Sequence, residues 1–507
     1  MTGRTYCALL SGINVHTVEV EADVSMGIPA FELTGNLSGT VREAKDRIKA
    51  AIRNSGVMLK PSKITVNLAP SNLRKEGTHF DLAIVIAVML ATNYINNEEI
   101  SNMMFIGELG LDGRVNPVKA VLPIIAHCKS VGITKCIVPK QNVNEGRYIT
   151  GIDVIGVESL SECINYIKGR INIRPVAKEQ LREEICSYDM DYSDIRGQEG
   201  LKRAMLIAAG AMHNILMVGP PGAGKTMAAS GLITIMPPLN LAQCIEISKI
   251  YSIAGLLNEE NYFITKRPFR APGYTITPAA MAGGGIKPIP GEMSLAEYGV
   301  LFLDELNLFS PEVIETLRVP LEKGRIRINR SGGTYEFPAG FMLVAAINPC
   351  KCGYYPDRTK CNCTQQEIKK HLGKISRPLM DRIDICVQAP KVQFEDMENI
   401  SDNSEYSGDK MRKKVLRIYE IQQERFRNCS FNLNSQIPAN QIPYFCQMEN
   451  DAKTLIKTVY DKYDLTARGY HKIMKVARTV ADLEGHDKIM LPDLSEAIGY
   501  RMSDNRY

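Results

Sequence analysis

The residues with the clearest chemistry lie in a glycine-rich loop that follows an apolar stretch and precedes an alanine-rich one. The segment MVGPPGAGKT, residues 217–226, fits the pattern G-x-x-x-x-G-K-[ST]. In such a loop glycines let backbone N–H groups face the phosphates of a nucleotide, Lys225 adds a cation near the β- and γ-phosphates, and Thr226 offers its hydroxyl to Mg²⁺. The residues predicted to bind ATP are Gly219, Pro220, Pro221, Gly222, Ala223, Gly224, Lys225, Thr226 and Met227.

A second segment, GVLFLDELN, supplies the carboxylates that a hydrolytic nucleotide site needs. Its apolar residues, 300–303, read as a buried strand that ends in Asp304 and Glu305. Asp304 is placed to hold Mg²⁺, and Glu305 is placed to polarise the attacking water. The sequence therefore predicts ATP hydrolysis rather than ATP binding alone.

Three further polar side chains are candidates for assisting hydrolysis. The apolar segment FMLVAAIN ends in Asn348, a neutral side chain able to orient the lytic water. Arg382 lies in SRPLMDRIDI, and Arg468 lies in TARGYH at the start of a predicted helix. A single arginine is most often a partner in a surface salt bridge, so these two gain meaning only from the order of motifs along the chain.

Four cysteines follow Asn348 closely. The segment CKCGYYPDRTKCNC places Cys350, Cys352, Cys361 and Cys363 within fourteen residues. Four thiolates suit tetrahedral Zn²⁺, although C-x-C is tighter than the usual spacing of structural zinc sites. A structural zinc site, free thiols and a redox-sensing disulfide all remain open at this point.

The segment EKGRIRINRSGGTYEFPAG reads as a β-hairpin with alternating residues on each strand. Arg325 and Arg327 fall on one face, and Arg330 lies near the tip. Basic side chains of this kind can follow a DNA backbone without reading its sequence. The alternative is a solvated hairpin with ordinary surface charges.

These motifs need several elements to position them, and the 507-residue chain is too long for one hydrophobic core. Strand-like and helix-like patterns alternate through residues 1–168, and a strand, glycine loop and helix open residues 190–389. Residues 169–189 and 390–409 are polar and read as linkers. Only helical patterns follow in residues 410–507. The expected fold class is α/β, with an α+β amino-terminal domain and a helical carboxyl-terminal domain.

Bulk composition excludes some function classes. The chain is 45% hydrophobic and 23% charged, and it has no apolar run long enough to span a bilayer. Its first residues do not read as a signal peptide, so we expect a cytoplasmic protein without a membrane partner. Thirteen cysteines then indicate buried thiols rather than a disulfide framework. A net charge of +5 is slight for this length, so any contact with a polyanion must be local.

The order of DIRGQE, GPPGAGKT, RPFRAPGYTITPAAMAGGG, GEMSLAEYGVLFLDELN, AAINPC and LMDRIDI closely resembles the magnesium-chelatase-like AAA+ ATPases of the YifB/ComM family, across essentially the whole chain. This resemblance implies an AAA+ P-loop core, a helical lid and assembly into a ring, expected to be a homohexamer. It implies that Asn348 is sensor 1, that Arg382 is the arginine finger completing a neighbour's site, and that Arg468 is the sensor 2 arginine. Arg478, on the same helix, is the alternative to Arg468.

One departure from the family is visible after RPFRAP. Family members often carry two histidines where this chain has Gly273 and Tyr274. Any role that depends on those histidines is therefore not expected here.

The amino-terminal domain resembles the Lon-type proteolytic fold, which is related to ribosomal protein S5 domain 2. The matching segments are KEGTHFDLAIVIA and FIGELGLDGRVNPVKAVLPIIAHCKSVGITKCIVPK. Proteolysis by that fold needs a serine nucleophile and a lysine that accepts its proton. Those positions hold His79 and Leu122, and Lys119 is displaced from the lysine position. We therefore expect a structural or partner-binding domain and not a protease.

Three functions remain open from the sequence. The resemblance implies a ring motor that moves on DNA in a sequence-independent manner, since the family includes a helicase that promotes branch migration in natural transformation. A chelatase-type ATPase that remodels a protein partner is the second, although chelatase motor subunits lack the Lon-like domain. A nucleotide-dependent scaffold is the third, and Glu305 weakens it because a pure switch needs no catalytic base.

Overall fold

The computed structural model of the protein describes residues 2–181, 190–330, 333–392, 405–463 and 465–502. Parts of three predicted segments lie outside these residues, namely 182–189 and 393–404 of the linkers and 331–332 at the hairpin tip. Within the described residues, no helix combines the length and the apolar character needed to cross a bilayer.

The amino-terminal domain is built on a seven-stranded sheet with the order β3-β4-β2-β1-β5-β8-β9. The strands of this domain, of which β6 and β7 pair with each other outside that sheet, are β1 (Thr2–Ser11), β2 (Asn14–Ser25), β3 (Ala30–Thr34), β4 (Lys63–Ala69), β5 (Met103–Phe105), β6 (Glu108–Leu109), β7 (Val115–Asn116), β8 (Lys135–Pro139) and β9 (Asp153–Val157). Its helices are α1 (Gly39–Asn54), α2 (Asp81–Ala91), α3 (Val121–Ser130) and α4 (Leu160–Ile167). Every residue of α2 is buried, including Asp81 at its start, which forms an ion pair with Arg47.

The central domain contains a five-stranded sheet with the order β11-β14-β17-β10-β18. The strands of the domain are β10 (Ile215–Val218), β11 (Phe269–Arg270), β12 (Gly283–Gly284), β13 (Ile289–Pro290), β14 (Val300–Leu303), β15 (Arg325–Arg330), β16 (Gly333–Pro338), β17 (Met342–Ile347) and β18 (Ile385–Gln388). Its helices are α5 (Glu199–Ala211), α6 (Lys225–Ile235), α7 (Leu241–Ala254), α8 (Pro278–Ala282), α9 (Glu292–Leu295), α10 (Pro311–Thr316), α11 (Pro320–Lys323), α12 (Gln365–Leu372) and α13 (Arg377–Met380).

The five strands of this sheet are parallel, so their carboxyl ends meet at one edge. All residues of β10, β14 and β17 are buried, because helices cover both faces of the sheet. The predicted nucleotide-binding loop follows β10, the two predicted carboxylates follow β14, and Asn348 follows β17. The α/β fold class predicted from the sequence is therefore confirmed, and the topology brings the predicted residues to a common edge.

Helices alone form the described part of the carboxyl-terminal domain: α14 (Gly408–Arg425), α15 (Ile442–Phe445), α16 (Asn450–Tyr463), α17 (Ala467–Glu484) and α18 (Leu491–Met502). One apolar face of α17 is buried, at Ile473, Met474, Ala477, Val480 and Ala481. These side chains belong to one hydrophobic core that also contains residues of β10 and α6. The helical domain is therefore packed directly on the nucleotide-binding domain.

Candidate nucleotide-binding site

The glycine-rich loop connects β10 to α6 and depends on glycine at three positions. Gly222 and Gly224 have φ angles of +76° and +80°, a region that favours glycine. A Cβ atom on Gly219 would lie 2.2 Å from the Ala389 carbonyl oxygen, so no other residue fits there. The loop therefore keeps its backbone N–H groups in the curved arrangement that binds phosphate oxygens.

Lys225, the first residue of α6, lies at the centre of this loop. Its ammonium donates to the carbonyl oxygens of Gly219 and Pro220, at 2.6 and 2.9 Å, and to Asn348 Oδ1, at 3.1 Å. Burial lowers the pKa of Lys225, and the nearby Asp304 and Glu305 carboxylates act in the opposite direction. The predicted phosphate-binding cation and the predicted sensor 1 side chain are thus in direct contact.

Thr226 and Asp304 form the oxygen-rich part of the site. Thr226 Oγ1 donates to Asp304 Oδ2 at 3.0 Å, although the two residues come from different strand ends. A hydroxyl and a carboxylate in contact fit Mg²⁺, a hard cation that binds oxygen ligands and keeps several waters. When bound, Mg²⁺ would be held by these two residues and would neutralise developing charge on the phosphates.

Glu305 lies beside Asp304 in an unusual backbone conformation. Its φ angle is +50°, and its N–H donates to Asp304 Oδ1 at 2.9 Å. A non-glycine residue in this region costs on the order of 1 kcal/mol, and such residues cluster at functional sites. This left-handed turn follows the end of β14 at Leu303.

Two residues near Asn348, His371 and Asn307, could not be assigned to the site from the sequence. His371, on α12, has its Nε2 atom 3.1 Å from both the Asn348 carbonyl oxygen and Asn307 Nδ2, and it donates to the first or accepts from the second according to its tautomer. Asn307 follows the predicted carboxylates, so His371 joins the two strand ends that carry Asp304 and Asn348. A lone histidine in QQEIKKHLGK gives no pattern by which this bridge could be predicted, because its partners are distant in the chain.

The four cysteines form one cluster immediately beyond Asn348. Their Sγ atoms all lie within 4.8 Å of one another, with Cys350 Sγ 3.3 Å from Cys352 and 3.7 Å from Cys361. Thiolates bound to one Zn²⁺ at 2.3 Å would be about 3.8 Å apart, so the cluster fits a tetrahedral site. A Cβ on Gly353, within this segment, would lie 2.6 Å from Pro221 Cδ. The cluster therefore packs against the phosphate-binding loop.

Arg382 lies at the opposite edge of the sheet from the loop. It precedes β18, and its carbonyl oxygen accepts from Asn214 Nδ2 at 3.1 Å, just before β10 begins. Its guanidinium donates to the carbonyl oxygens of Arg318 and Pro378, at 2.7 and 2.6 Å, and to Glu322 Oε2 at 2.6 Å. Within one chain, Arg382 is therefore separated from Lys225 by the length of the central strands.

Arg468 lies beside Arg382 rather than beside the glycine-rich loop. Its Nη2 atom is 3.7 Å from Glu322 Oε1, and both arginines line a cleft of about 960 Å³. Lys472 also lines this cleft, and its ammonium contacts the Arg382 carbonyl oxygen at 3.3 Å and Asp384 at 2.5 Å. The cleft thus places Arg382, Arg468 and Lys472 close together, and its lining also includes Arg267, Lys323, Arg325 and Lys475.

Arg478 occupies a different environment. It is 1% exposed, and its guanidinium contacts Asp482 Oδ1 at 2.9 Å and the Asp487 carbonyl oxygen at 2.7 Å. These bonds hold the helical domain together. Of the two arginines considered for sensor 2, Arg468 is the one that faces a cleft.

The predicted hairpin is formed by β15 and β16, with Arg325 paired to Pro338 and Arg330 to Gly333. Arg325 and Arg327 are each 64% exposed and contact the carboxylate of Glu336 on the facing strand. Arg330 Nε donates to the Gly285 carbonyl oxygen at 3.2 Å, which links the hairpin to the β12–β13 loop. Arg325 and Arg327 therefore share one exposed face of the hairpin, and Arg330 lies on the opposite face near its tip.

His79 and Leu122, which occupy the positions aligned with the Lon-type dyad, both make hydrogen bonds within the amino-terminal domain. His79 Nε2 lies 2.9 Å from the Ala8 carbonyl oxygen, and burial lowers the pKa of His79 to about 4. The Leu122 N–H donates to Glu145 at 2.8 Å, and Glu145 also accepts from Ser252 Oγ, on α7, at 2.6 Å. This part of the amino-terminal domain therefore forms its joint with the nucleotide-binding domain.

Comparison with known proteins agrees with this architecture. Three family models match the chain. The model for magnesium chelatase, subunit ChlI, matches residues 191–397, and the model for subunit ChlI of Mg-chelatase matches residues 20–142. The model for the carboxyl-terminal part of subunit ChlI matches residues 405–501. Competence protein ComM of Haemophilus influenzae is 38% identical over 98% of this chain and 96% of its own. The uncharacterized protein YifB of Escherichia coli is 33% identical, over 97% of this chain and 96% of its own. Magnesium-chelatase subunit ChlI of Cyanophora paradoxa is 22% identical, over 61% of this chain and 88% of its own.

Proposed function

Because the chain belongs to the magnesium-chelatase-like AAA+ ATPases of the YifB/ComM family, we propose that it is a Mg²⁺-dependent ATPase that assembles into a ring and moves along or remodels DNA. The observation that carries the hydrolytic part is the meeting of Lys225, Thr226, Asp304 and Asn348 at one sheet edge. Glu305 then polarises water, Asn348 orients it, and Lys225 stabilises charge on the phosphates, where Mg²⁺ held by Thr226 and Asp304 would neutralise further charge.

The ring part of the proposal rests on the position of the two arginines. Arg382 and Arg468 lie at the sheet edge opposite Lys225, so they cannot serve the site of their own chain without a large rearrangement. A head-to-tail contact would place this edge against the glycine-rich loop of the next copy, and repetition of such a contact closes a ring. We expect six copies, with both arginines completing a neighbour's site.

The DNA part rests on the exposed arginines of the β15–β16 hairpin. Arg325, Arg327 and Arg330 would contact phosphates, which gives binding without sequence preference. A full-length relative is named a competence protein, which agrees with a role in handling DNA. The proposal places the protein in the cytoplasm, where DNA and ATP are both available.

The test is steady-state ATP hydrolysis with no DNA, single-stranded DNA and a four-way junction, each at two salt concentrations. The proposal predicts stimulation by DNA that weakens as salt rises, because Lys and Arg contacts to phosphates are salt-sensitive. Glu305→Gln should show no stimulated hydrolysis. Hydrolysis that depends on Glu305 but ignores every DNA would exclude the DNA motor and keep the ATPase.

A second candidate function is the remodelling of a protein partner, as in a chelatase. It is favoured by the ChlI family models, which match three segments of the chain. Against it, the chelatase subunit from Cyanophora paradoxa aligns with only 61% of this chain, whereas ComM and YifB align with nearly all of it. Recovery of a metal-insertion subunit in a pull-down, together with no DNA stimulation, would favour this candidate.

We also propose that the four cysteines bind one structural Zn²⁺. The Sγ distances within the cluster support this, and a reducing cytoplasm would keep the thiolates available. Purified protein should contain about one zinc per chain, and Cys361→Ser, which removes a buried ligand, should lose it. Cys446→Ser, at a buried cysteine outside the cluster, is the control. Zinc content near zero with four reactive thiols would exclude the site.

A further inference from the structure

A carboxylate lies between the two arginines of the cleft. Glu322, near the end of α11, accepts from Arg382 Nη2 through Oε2 at 2.6 Å, and its Oε1 atom lies 3.7 Å from Arg468 Nη2. Its side chain is 53% exposed, and it lines the cleft with both arginines. One carboxylate thus contacts both cations that the proposed function assigns to a neighbour's ATP.

The remaining bonds of Arg382 fix the direction of its guanidinium. Nε and Nη1 donate to the carbonyl oxygens of Arg318 and Pro378, which belong to the same domain. Nη2 is the group that points to Glu322 and the cleft. The side chain of Arg382 is 13% exposed and that of Arg468 is 62% exposed, so Arg382 is the more buried of the two arginines.

A carboxylate and a phosphate present similar acceptor oxygens to a guanidinium. We propose that Glu322 is a placeholder for the phosphate of the neighbouring copy's ATP. It holds Arg382 and Arg468 in the unengaged state and is displaced when that phosphate enters the cleft. This inference rests on the proposed function, because it needs a second copy to bring its nucleotide to this edge.

The placeholder affects the apparent affinity for ATP. If Glu322 engages the arginines for most of the time, the measured affinity for ATP equals the intrinsic affinity multiplied by the fraction of time that the arginines are free. Removing the negative charge of Glu322 raises that fraction. ATP should then bind more tightly, and the gain should depend on Arg382.

The test measures the affinity of full-length protein for a fluorescent ATP analogue in a Glu305→Gln background, where hydrolysis does not deplete the ligand. Adding Glu322→Gln should tighten binding by about three- to tenfold at protein concentrations that support assembly. Adding Arg382→Ala as well should remove that gain. Glu449→Gln is the control, because Glu449 forms a surface ion pair with Lys488 at 3.2 Å in the helical domain.

Two results would overturn the inference. Weaker binding in Glu322→Gln would mean that Glu322 positions Arg382 for the phosphate rather than competing with it. Unchanged binding would mean that the contact is an ordinary surface pair. Failure of the proposed function gives a separate result: Arg382→Ala alone would leave both ATP affinity and wild-type turnover unchanged.

Discussion

Glu305, the proposed catalytic base, has an unusual backbone conformation. It lies two residues after the end of the buried strand β14 with a φ of +50°, and its N–H donates to Asp304. The sequence predicts the residue type and its position after a strand, since both are local patterns. The left-handed turn is not predicted, because glutamate gives no signal for it.

The first prediction concerns this residue. Glu305→Gln should reduce ATP turnover by about 10²-fold or more, because the amide cannot accept the proton of the attacking water. ATP binding should be retained, since Lys225 and the loop are unchanged. Turnover and nucleotide affinity should be measured together. Glu312→Gln, an exposed residue on α10, is the control and should hydrolyse ATP at the wild-type rate.

The second prediction concerns pH and Glu297. This residue is 5% exposed, and burial raises its pKa from 4.5 to about 7, although the Gly340 N–H donates to it and acts in the opposite direction. Below pH 4.5 the carboxyl is protonated in both the folded and the unfolded chain. Between pH 4.5 and 7 the unfolded chain ionises first, so stability falls as pH rises.

Glu297→Gln stays neutral and keeps an acceptor for Gly340. The variant should therefore be more stable than the wild type at about pH 8, by on the order of 1–3 kcal/mol, and nearly equal to it at about pH 4.5. Denaturant unfolding at several pH values measures the difference. A difference that does not change with pH would show that ionisation of Glu297 is not the cause.

At the scale of elements, the hairpin and the carboxyl-terminal helices were predictable because each has a regular period. Arg325 and Arg327 alternate on β15, and the buried residues of α17 follow the helical repeat. Contacts between elements were not predictable. Glu322 meets Arg382 from 60 residues away, and His371 meets Asn307 from 64 residues away. No local pattern encodes such pairs.

The hairpin gives the third prediction. Arg327→Ala and Arg330→Ala should each weaken DNA binding about three- to tenfold and lower the salt slope of the affinity by about one. The effect should be similar for unrelated DNA sequences. Arg114→Ala removes a side chain that is 79% exposed in the amino-terminal domain, and it is the matched control. Equal losses in Arg114→Ala and the hairpin variants would argue against a DNA-binding role of the hairpin.

At the scale of the whole molecule, the amino-terminal domain is joined to the nucleotide-binding domain through the region around Leu122 and Glu145. Glu145 receives bonds from Leu122 and from Ser252 on α7, and the Ala120 N–H donates to the Ser252 carbonyl oxygen at 3.1 Å. The sequence predicts that the dyad residues are replaced. The docking of this region on α7 needs the structure, because α7 lies more than 100 residues away.

The separation of Lys225 from Arg382 within one chain is the feature that most strongly points to assembly. The two residues lie at opposite ends of paired strands, since Lys225 follows β10 and Arg382 precedes β18. A complete site would therefore combine the loop of one copy with the arginines of the next. We propose that each ATP site is shared between two copies in this way.

The most direct test mixes two inactive variants. Lys225→Ala lacks the phosphate-binding cation and Arg382→Ala lacks the arginine offered to a neighbour, so each alone should hydrolyse ATP poorly. A one-to-one mixture should form complete sites at about a quarter of the interfaces and recover hydrolysis in proportion. No recovery on mixing, or full activity of Arg382→Ala alone, would contradict a site shared between copies.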